Sequence, residues 1–528
     1  MKTGTIYLVG AGPGDPELIT LKGARLLAKA DVIFYDHLAN RELLKMANPS
    51  AQKIYVGKKA ATCQTARRQA VEKALPQEEI EKQMIARAQK GELVVRLKGG
   101  DPFIFGRGGE EALAIRQAGI PFEIVPGLTS AIAVPAYAGI PLTHRTMASN
   151  VAFVTGHQDS APNENGEEDR MIPWDALAKM ETIVFFMGVA TLRETLQKMI
   201  AYGKSPDTPA AMISWGTYPQ QKTVTATVAT LADHAEREQM TPPSLVVIGS
   251  VVTLREKLKW FENKPLFGKR IIVTRFKAQA SEFSDLLREM GATVMELATI
   301  DIQPPESFDP LDCAIQKIKE YHWLLFTSVN AVDFFWERFR KPPSGGARKD
   351  LRDLAHLKIG VIGPSTAHRL ESLGLWVDLI PEEFRQEGIV SAFKKGGIQG
   401  KKVLIPRARE GREHLVEELE KMKCQVEVVE AYRNVVPEMN PSVLDAVFRS
   451  PKPDWITFLS SSSVDNFVHL MGEKKAANYL YGIKVAVIGP VTQKTCERHG
   501  IKVDLMPKRH TIPALVEALC VTTISSDS

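Results

Sequence analysis

Val9-Gly10-Ala11-Gly12-Pro13-Gly14-Asp15 and the run Gly99-Gly100-Asp101-Pro102-Phe103-Ile104-Phe105-Gly106-Arg107-Gly108-Gly109-Glu110-Glu111 decide the fold of this chain. Each follows a short apolar run, Ile6 to Val9 and Leu93 to Leu97, that reads as a buried parallel strand. A glycine turn at the C-terminal end of a strand lets a ligand approach the backbone, and open α/β sheets bind ligands at that edge. Two such turns in one sheet imply a small-molecule cleft.

The loops exclude the commonest nucleotide sites. A dinucleotide fingerprint needs a third glycine where this chain has Asp15, and neither turn is followed by Gly-Lys-Ser/Thr. Pro13 removes one backbone donor, which suits a nucleoside better than a pyrophosphate. Each loop can also be read as a tight strand-to-helix turn. That bland reading fits the first loop as well as a binding role does. It fits the second poorly, because few packing reasons demand five glycines interleaved with Asp101, Arg107, Glu110 and Glu111.

At 528 residues the chain exceeds one domain, and 44% hydrophobic with 24% charged residues is ordinary for a globular protein. With 67 Lys and Arg against 62 Asp and Glu, the net charge is only +5, and no basic block dominates. Nucleic-acid binding is not indicated, whereas a polyanionic small substrate is compatible. Five cysteines (Cys63, Cys313, Cys424, Cys496, Cys520) lie scattered without CxxC spacing, which argues for reduced thiols rather than disulfides or a metal site. The chain enters a strand at once without a signal pattern, and no apolar run approaches ~18 residues. The expectation is a cytoplasmic protein with no membrane span.

Strand and helix patterns alternate to about Val252, interrupted by the acidic stretch Ser160 to Arg170, which reads as a surface loop. A second lobe follows, with Thr182–Phe186 and Ser244–Ile248 as strands. The charged segment Arg255 to Lys264 before Pro265 marks a boundary, giving expected domains 1–262 and 263–528. Beyond it the chain repeats itself. Lys269-Arg270-Ile271-Ile272-Val273-Thr274-Arg275 matches Lys401-Lys402-Val403-Leu404-Ile405-Pro406-Arg407, and Trp323-Leu324-Leu325-Phe326-Thr327-Ser328 matches Trp455-Ile456-Thr457-Phe458-Leu459-Ser460 at the same offset. Lys358-Ile359-Gly360-Val361-Ile362-Gly363-Pro364 matches Lys484-Val485-Ala486-Val487-Ile488-Gly489-Pro490 at a slightly smaller one. The difference falls at the Pro/Gly-rich insertion 341–346. Two long copies mean two similar parallel α/β lobes, with a binding place between them. Their strand ends release hydroxyl-bearing turns at Thr327-Ser328, Ser460, Thr366 and Thr492, which read either as anion contacts or as ordinary helix caps.

The first half resembles the uroporphyrinogen-III C-methyltransferases among the S-adenosylmethionine-dependent tetrapyrrole methylases. The two glycine runs carry the likeness, with Tyr35-Asp36-His37-Leu38, Val56-Gly57-Lys58-Lys59, Val125-Pro126-Gly127-Leu128-Thr129-Ser130-Ala131, Ala138-Gly139-Ile140-Pro141-Leu142-Thr143-His144-Arg145 and Phe186-Met187-Gly188. It spans roughly residues 3 to 258. The resemblance implies a two-lobed methylase fold, with Pro13, Gly99, Gly100, Asp101, Ile104, Thr129, Ser130, Met187 and Gly216 lining the S-adenosylmethionine site. It implies acid–base roles for Asp36 and Lys58, though Lys58 could equally hold a substrate carboxylate. Arg107 and Arg145 could bind the acceptor's acidic arms. Two methylations would give precorrin-2 and two S-adenosylhomocysteines, and dimerisation through the first half is implied.

The second half, about residues 266 to 520, resembles uroporphyrinogen-III synthase, whose product is the first half's substrate. That family closes linear hydroxymethylbilane with loss of water and inversion of the last ring, without a cofactor. The resemblance implies interleaved lobes, 301–435 and 266–300 with 436–520. Tyr432 matches the family's tyrosine best placed to assist departure of hydroxide, and a buried structural tyrosine fits the sequence equally. Arg275, Arg407 and Arg409 could meet substrate carboxylates, with Thr327, Ser328, Thr366, Ser460 and Thr492 as further contacts. Leu459 stands where the family commonly has Thr. The competing readings are a methylase acting on a later corrin intermediate, on ribosomal RNA or on a modified protein histidine, and a two-lobed second half that binds without catalysing.

Overall fold

β1 (Ile6–Gly10), β2 (Val32–Tyr35), β3 (Gln52–Tyr55), β4 (Val94–Lys98) and β5 (Phe122–Val125) form one sheet in the order β3-β2-β4-β1-β5. All its pairings are parallel, so the segments that follow the strands collect along one edge. A computed structural model of the protein describes residues 3–57, 75–155, 172–186, 191–274, 280–299, 301–341, 349–384, 386–409, 414–435, 444, 447–448 and 451–527. The acidic stretch 160–170 and the insertion at 342–346 lie outside these.

Side chains alternate across this sheet, and both faces are covered. Ile6, Leu8, Val32, Phe34 and Val94 pack under Ile80, Met84 and Ala88 of the helix Gln77–Gln89 and Ala112 and Ile115 of the helix Gly108–Gln117. Val9, Ile33, Val95 and Leu97 face Leu26, Leu27 and Leu43 on the other side. Each large side chain buried here contributes about 1.5–3 kcal/mol.

A second sheet, in the order β6-β7-β10-β8-β9, comprises β6 (Val151–Thr155), β7 (Thr182–Phe186), β8 (Pro209–Ser214), β9 (Lys222–Thr227) and β10 (Ser244–Ile248). The strands expected at 182–186 and 244–248 are neighbours in it. Only β6 and β7 run parallel; β7-β10, β10-β8 and β8-β9 are antiparallel. Val184, Ala211, Ile213, Leu245 and Val247 bury Ala131 and Val134 of the helix Ser130–Tyr137. The charged segment near 255–264 is packed rather than loose. Arg255 is buried, donates to the Ala138 carbonyl at 2.6 Å and pairs with Glu262. Trp260 and Phe261 set their rings 5.0 and 4.8 Å from that of Tyr137.

Two further sheets use β11 (Arg270–Thr274), β12 (Thr293–Leu297), β13 (Asp301–Gln303), β14 (Trp323–Phe326), β15 (Lys358–Val361), β16 (Lys402–Ala408), β17 (Gln425–Val435), β18 (Trp455–Phe458) and β19 (Lys484–Val487). Their orders are β12-β11-β18-β19 and β13-β17-β16-β14-β15. The β11-β18, β18-β19, β14-β15, β14-β16 and β16-β17 pairs are parallel, and only β13 is recorded running against its neighbour. The internal repeat is visible in the backbone. Ser328 and Ser460 cap equivalent helices at φ/ψ of −159°/158° and −159°/159°. By its contacts the chain divides into two units, Met1–Lys269 with Leu287–Thr293 and Cys520–Ser528, and Arg270–Leu286 with Val294–Leu519. The α/β class, with two lobes in the first half and a pair of similar lobes in the second, is the one read from the sequence. No described helix is long and apolar enough to cross a membrane.

Candidate functional site

At the C-terminal edge of the first sheet three glycine segments meet backbone to backbone. Gly12 and Gly100 exchange N–H to carbonyl bonds at 3.2 and 2.7 Å, and the Ala11 N–H donates to the Lys98 carbonyl at 2.7 Å. A Cβ on Gly127 would lie 2.3 Å from the Gly100 oxygen, and one on Gly10 would lie 2.4 Å from the Gly127 Cα. Gly100 differs. Its φ is +68°, and a Cβ there would meet nothing nearer than 3.8 Å, the Ser130 nitrogen. Gly10 and Gly127 therefore close the loops on each other, while Gly100 keeps an open face beside Thr129 and Ser130.

Asp101 ties these loops together. One carboxylate oxygen accepts from the Gly127 N–H at 3.0 Å and the other from the Phe103 N–H at 2.8 Å. Thr129 is nearly buried and caps the helix Ser130–Tyr137. Phe103, Ile104, Phe105 and Leu38 stay exposed at 54, 38, 43 and 54%, an apolar rim on an otherwise glycine-lined edge. Phe105 leans on Phe186 at 4.8 Å between ring centres.

The first loop is locked from the second sheet's side. The Asp15 N–H donates to Thr217 Oγ1 at 3.0 Å, and the Tyr137 hydroxyl donates to Asp15 Oδ2 at 2.8 Å. Burial, then that carboxylate, pushes the Tyr137 phenol well above its ordinary range. Trp215 and Thr217 both hold positive φ, 51° and 70°, on either side of Gly216. Such strain in non-glycine residues gathers at ligand sites. Gly216 is required here, since a Cβ would lie 2.3 Å from Val134.

Beneath the edge lies a buried ionic chain absent from the sequence reading. Asp36 Oδ1 accepts from the Leu38 and Ala39 N–H groups at 3.1 and 3.2 Å, and Oδ2 faces Arg96 Nη2 at 3.3 Å. Arg96 Nε reaches Glu111 Oε1 at 3.3 Å, and Lys98 Nζ donates to Glu111 Oε2 at 2.9 Å. Gln77 adds a bond to Glu111 Oε1 at 3.0 Å. Burial lowers the Lys98 ammonium pKa, Arg96 adds to that, and Glu111 draws it partly back. For Glu111 burial acts against the charged form, but Arg96, Lys98 and Gln77 outweigh it and hold the carboxyl below its usual range. Arg96 and Lys98 sit two residues apart on β4, hence on one face. The signal was there, hidden in a run read simply as apolar.

Pro13, Gly99, Gly100, Asp101, Ile104, Thr129, Ser130 and Gly216 thus lie on the glycine edge or on the turn that braces it, and Asp36 sits beside it. Arg107 caps the helix Gly108–Gln117 at φ 55° and pairs with Glu110 at 2.8 Å, which raises its pKa. Arg145 is exposed on the segment after the helix Ser130–Tyr137. Lys58, Met187 and Arg275 lie outside the described residues.

In the second unit, Tyr432 on β17 is 6% exposed, and its hydroxyl lies 3.0 Å from Ser328 Oγ. Phe334 stacks on its ring at 5.9 Å. Ser328 also accepts from the Ala331 N–H, so one hydroxyl serves both the cap and Tyr432. Arg407, buried at the end of β16, precedes a bulge that shifts the register opposite Tyr432. Arg409 and Arg433 share Glu306 Oε1 at 3.1 and 3.3 Å. Thr327 is half-buried at the end of β14. Thr366 and Thr492 are only 5 and 4% exposed, so these turns offer a ligand chiefly backbone. The bonds recorded for Ser460 run to Ser462 and Ser463.

Comparison with known proteins matches both halves. A family model described as tetrapyrrole (corrin/porphyrin) methylases covers residues 5–232, and one described as uroporphyrinogen-III synthase covers residues 281–517. A Ruminiclostridium josui protein named porphyrin biosynthesis protein HemD is 36% identical over 521 residues, 98% of either chain. A Bacillus subtilis uroporphyrinogen-III C-methyltransferase is 49% identical over 262 residues, 49% of this chain and 96% of its own. A solved uroporphyrin-III C-methyl transferase from Thermus thermophilus, complexed with S-adenyl homocysteine, is 38% identical, covering 48% of this chain and all of its own at a TM-score of 0.39.

Proposed function

The chain belongs to the family of tetrapyrrole-biosynthesis enzymes that join a methylase to a uroporphyrinogen-III synthase, and on that premise we propose that it makes uroporphyrinogen III and then methylates it twice to precorrin-2. Residues 263–528 close hydroxymethylbilane with inversion of the last ring and loss of water. Residues 1–262 carry out both methyl transfers. The observation that carries the reading is the edge at Gly100, where one open, positive-φ glycine is framed by two closed ones.

S-adenosylmethionine, when bound, supplies a methyl group on a sulfonium. The residues at the edge fit a nucleoside of that kind. Gly100 lets it lie against backbone, Gly99 holds the same turn with Leu38 packed on its bare face, and Ser130 and Thr129 offer the start of a helix. Asp101 holds the loops in register and, with two lone pairs left on its carboxylate, can accept from a ligand hydroxyl or ammonium. Gly216 and Pro13 shape the far wall, and Met187 joins them by its place in the family pattern. The exposed Phe103-Ile104-Phe105 rim and Leu38 bury the flat acceptor and exclude water, so that transfer proceeds in line within a dry pocket. Asp36 takes the proton released from the methylated carbon. Lys58, Arg107 and Arg145 hold the acceptor's acidic arms.

In the second half the Tyr432 phenol donates a hydrogen bond to the departing hydroxyl, and Ser328, 3.0 Å from it, orients it. Arg275, Arg407, Thr327 and Ser460, with the backbone of the turns at Thr366 and Thr492, bind the bilane in the conformation that inverts the last ring. The protein works in the cytoplasm on small tetrapyrroles and pairs through its first half. The test is incubation with hydroxymethylbilane, with and without S-adenosylmethionine, followed by isomer analysis and absorption. Uroporphyrinogen III without the donor and precorrin-2 with it are expected. Only the uninverted isomer would overturn the second-half assignment, and an unmethylated product with donor present would overturn the first.

A further inference from the structure

The proposed methyl transfer uses only the outermost member of the buried ionic chain, and the other three need a reason. Position 96 lies in register with Leu8 and Phe34, on the face where Ile6, Val32 and Val94 join an apolar core and Lys98 brings a second cation. Arg96 and Lys98 are each 4% exposed and Glu111 is fully buried. A purely structural need would be met as well by hydrophobic residues, since replacing buried ionic clusters with apolar groups of similar volume is often neutral or stabilising. Three nitrogens of Arg96 are committed in three directions: Nη2 to Asp36 at 3.3 Å, Nε to Glu111 at 3.3 Å and Nη1 to the Leu97 carbonyl at 3.0 Å. That fixes the plane of the guanidinium. Asp36 is held on Oδ1 by two backbone N–H groups and on Oδ2 by Arg96, so its carboxylate cannot turn without breaking both sets. Its side chain is still 24% exposed, so a further partner can reach it. Lys98 completes the balance. Without it Glu111 would cancel Arg96 and leave Asp36 unmatched; with it two cations meet two anions.

We propose that Arg96, clamped by Glu111 and Lys98, is a positioning residue that sets the Asp36 carboxylate for proton removal after methyl transfer. The proposal rests on the role given to Asp36 above. It predicts that Arg96 acts through Asp36 and through nothing else at the site. Misplacing a reacting group by about 1 Å costs on the order of 10²-fold in rate, and that is the loss expected.

The experiment is a double-mutant cycle on the full chain, reading single-turnover methyl transfer to uroporphyrinogen III and, separately, calorimetric affinity for S-adenosylhomocysteine. Arg96→Met should lower the rate about 10²-fold and leave that affinity within about threefold. Arg96→Lys, keeping the charge but losing the fork, should recover only part of the rate. In an Asp36→Asn background, Arg96→Met should add no further loss. A second variant, Arg96→Met with Lys98→Met and Glu111→Leu, removes every buried charge and should fold with unchanged or higher thermal stability while showing the same loss. If Asp36→Asn is slow and the Arg96 effect multiplies it in full, positioning is overturned while the role of Asp36 stands. If Asp36→Asn keeps the full rate, the reading of Asp36 falls, and the proposal falls with it.

Discussion

Glycines that look alike in the sequence have unlike duties. Gly127 and Gly10 permit close backbone contact, since a Cβ on Gly127 would lie 2.3 Å from the Gly100 oxygen. Gly100→Ala meets no such obstacle and suffers mainly the left-handed penalty of about 1–2 kcal/mol. Gly100→Ala should therefore lose S-adenosylhomocysteine affinity by calorimetry with a small fall in Tm. Gly127→Ala should lower Tm further, consistent with overpacking at about 1–3 kcal/mol or more. Equal Tm losses would contradict the contrast. The runs themselves announced a glycine-lined sheet edge, but no spacing rule says which glycine keeps an open face and which meets backbone. Asp101 was read as a ligand contact, and both of its oxygens already hold loop N–H groups. At Glu111, Glu111→Ala leaves Lys98 buried without its anion and Arg96 with Asp36 alone, and should cost about 3–5 kcal/mol. Because the folded carboxyl is held low, its stabilisation is complete above the ordinary value of 4.5 and is lost as pH falls toward the lower folded value. Urea midpoints taken from neutral pH downward should show that loss in the wild type and not in Glu111→Gln. Parallel acid profiles would remove the assignment.

At the scale of elements, β4 shows where pattern reading stops. Leu93 to Leu97 reads as apolar, yet the strand places Arg96 and Lys98 at the end of one face, where Val94 starts an apolar core. Only the partners Asp36 and Glu111, brought by other elements, turn two buried cations into a network. The second half was legible for a different reason: its repeat is one of whole strand-to-helix units, and the paired caps at Ser328 and Ser460 adopt the same backbone. What repetition cannot give is asymmetry. Ser328 meets the Tyr432 hydroxyl at 3.0 Å, whereas its counterpart Ser460 bonds within its own turn. The antiparallel edge strand β13 likewise has no counterpart in the aligned repeat segments. Tyr432→Phe removes one hydroxyl and should cost about 1 kcal/mol in stability. It should slow formation of uroporphyrinogen III at least tenfold, with the uninverted isomer rising as spontaneous closure competes. An unchanged rate and isomer ratio would reduce Tyr432 to a packed ring on Phe334. Ser328→Ala should weaken the helix cap by about 0.5–2 kcal/mol and slow the same step less.

For the whole molecule, the two units have their own sheets and cores, and the residues assigned to each reaction fall within one unit. Lesions in one should leave the other reaction intact. Asp36→Asn protein should still close hydroxymethylbilane at the wild-type rate, and Tyr432→Phe protein should still methylate supplied uroporphyrinogen III. Mixing the two variants with hydroxymethylbilane and S-adenosylmethionine then asks how the intermediate travels. A polyanionic tetrapyrrole released to water can reach a second molecule, so the mixture should regain precorrin-2 formation after a lag. That lag should shorten as the Asp36→Asn protein, which supplies the intermediate, is raised in concentration. Absorbance of the methylated product follows both quantities. A mixture that accumulates uroporphyrinogen III without methylating it, while Tyr432→Phe protein alone methylates the added compound, would mean that the intermediate is not exchanged between molecules. The two reactions would then have to be read as a single sequestered passage.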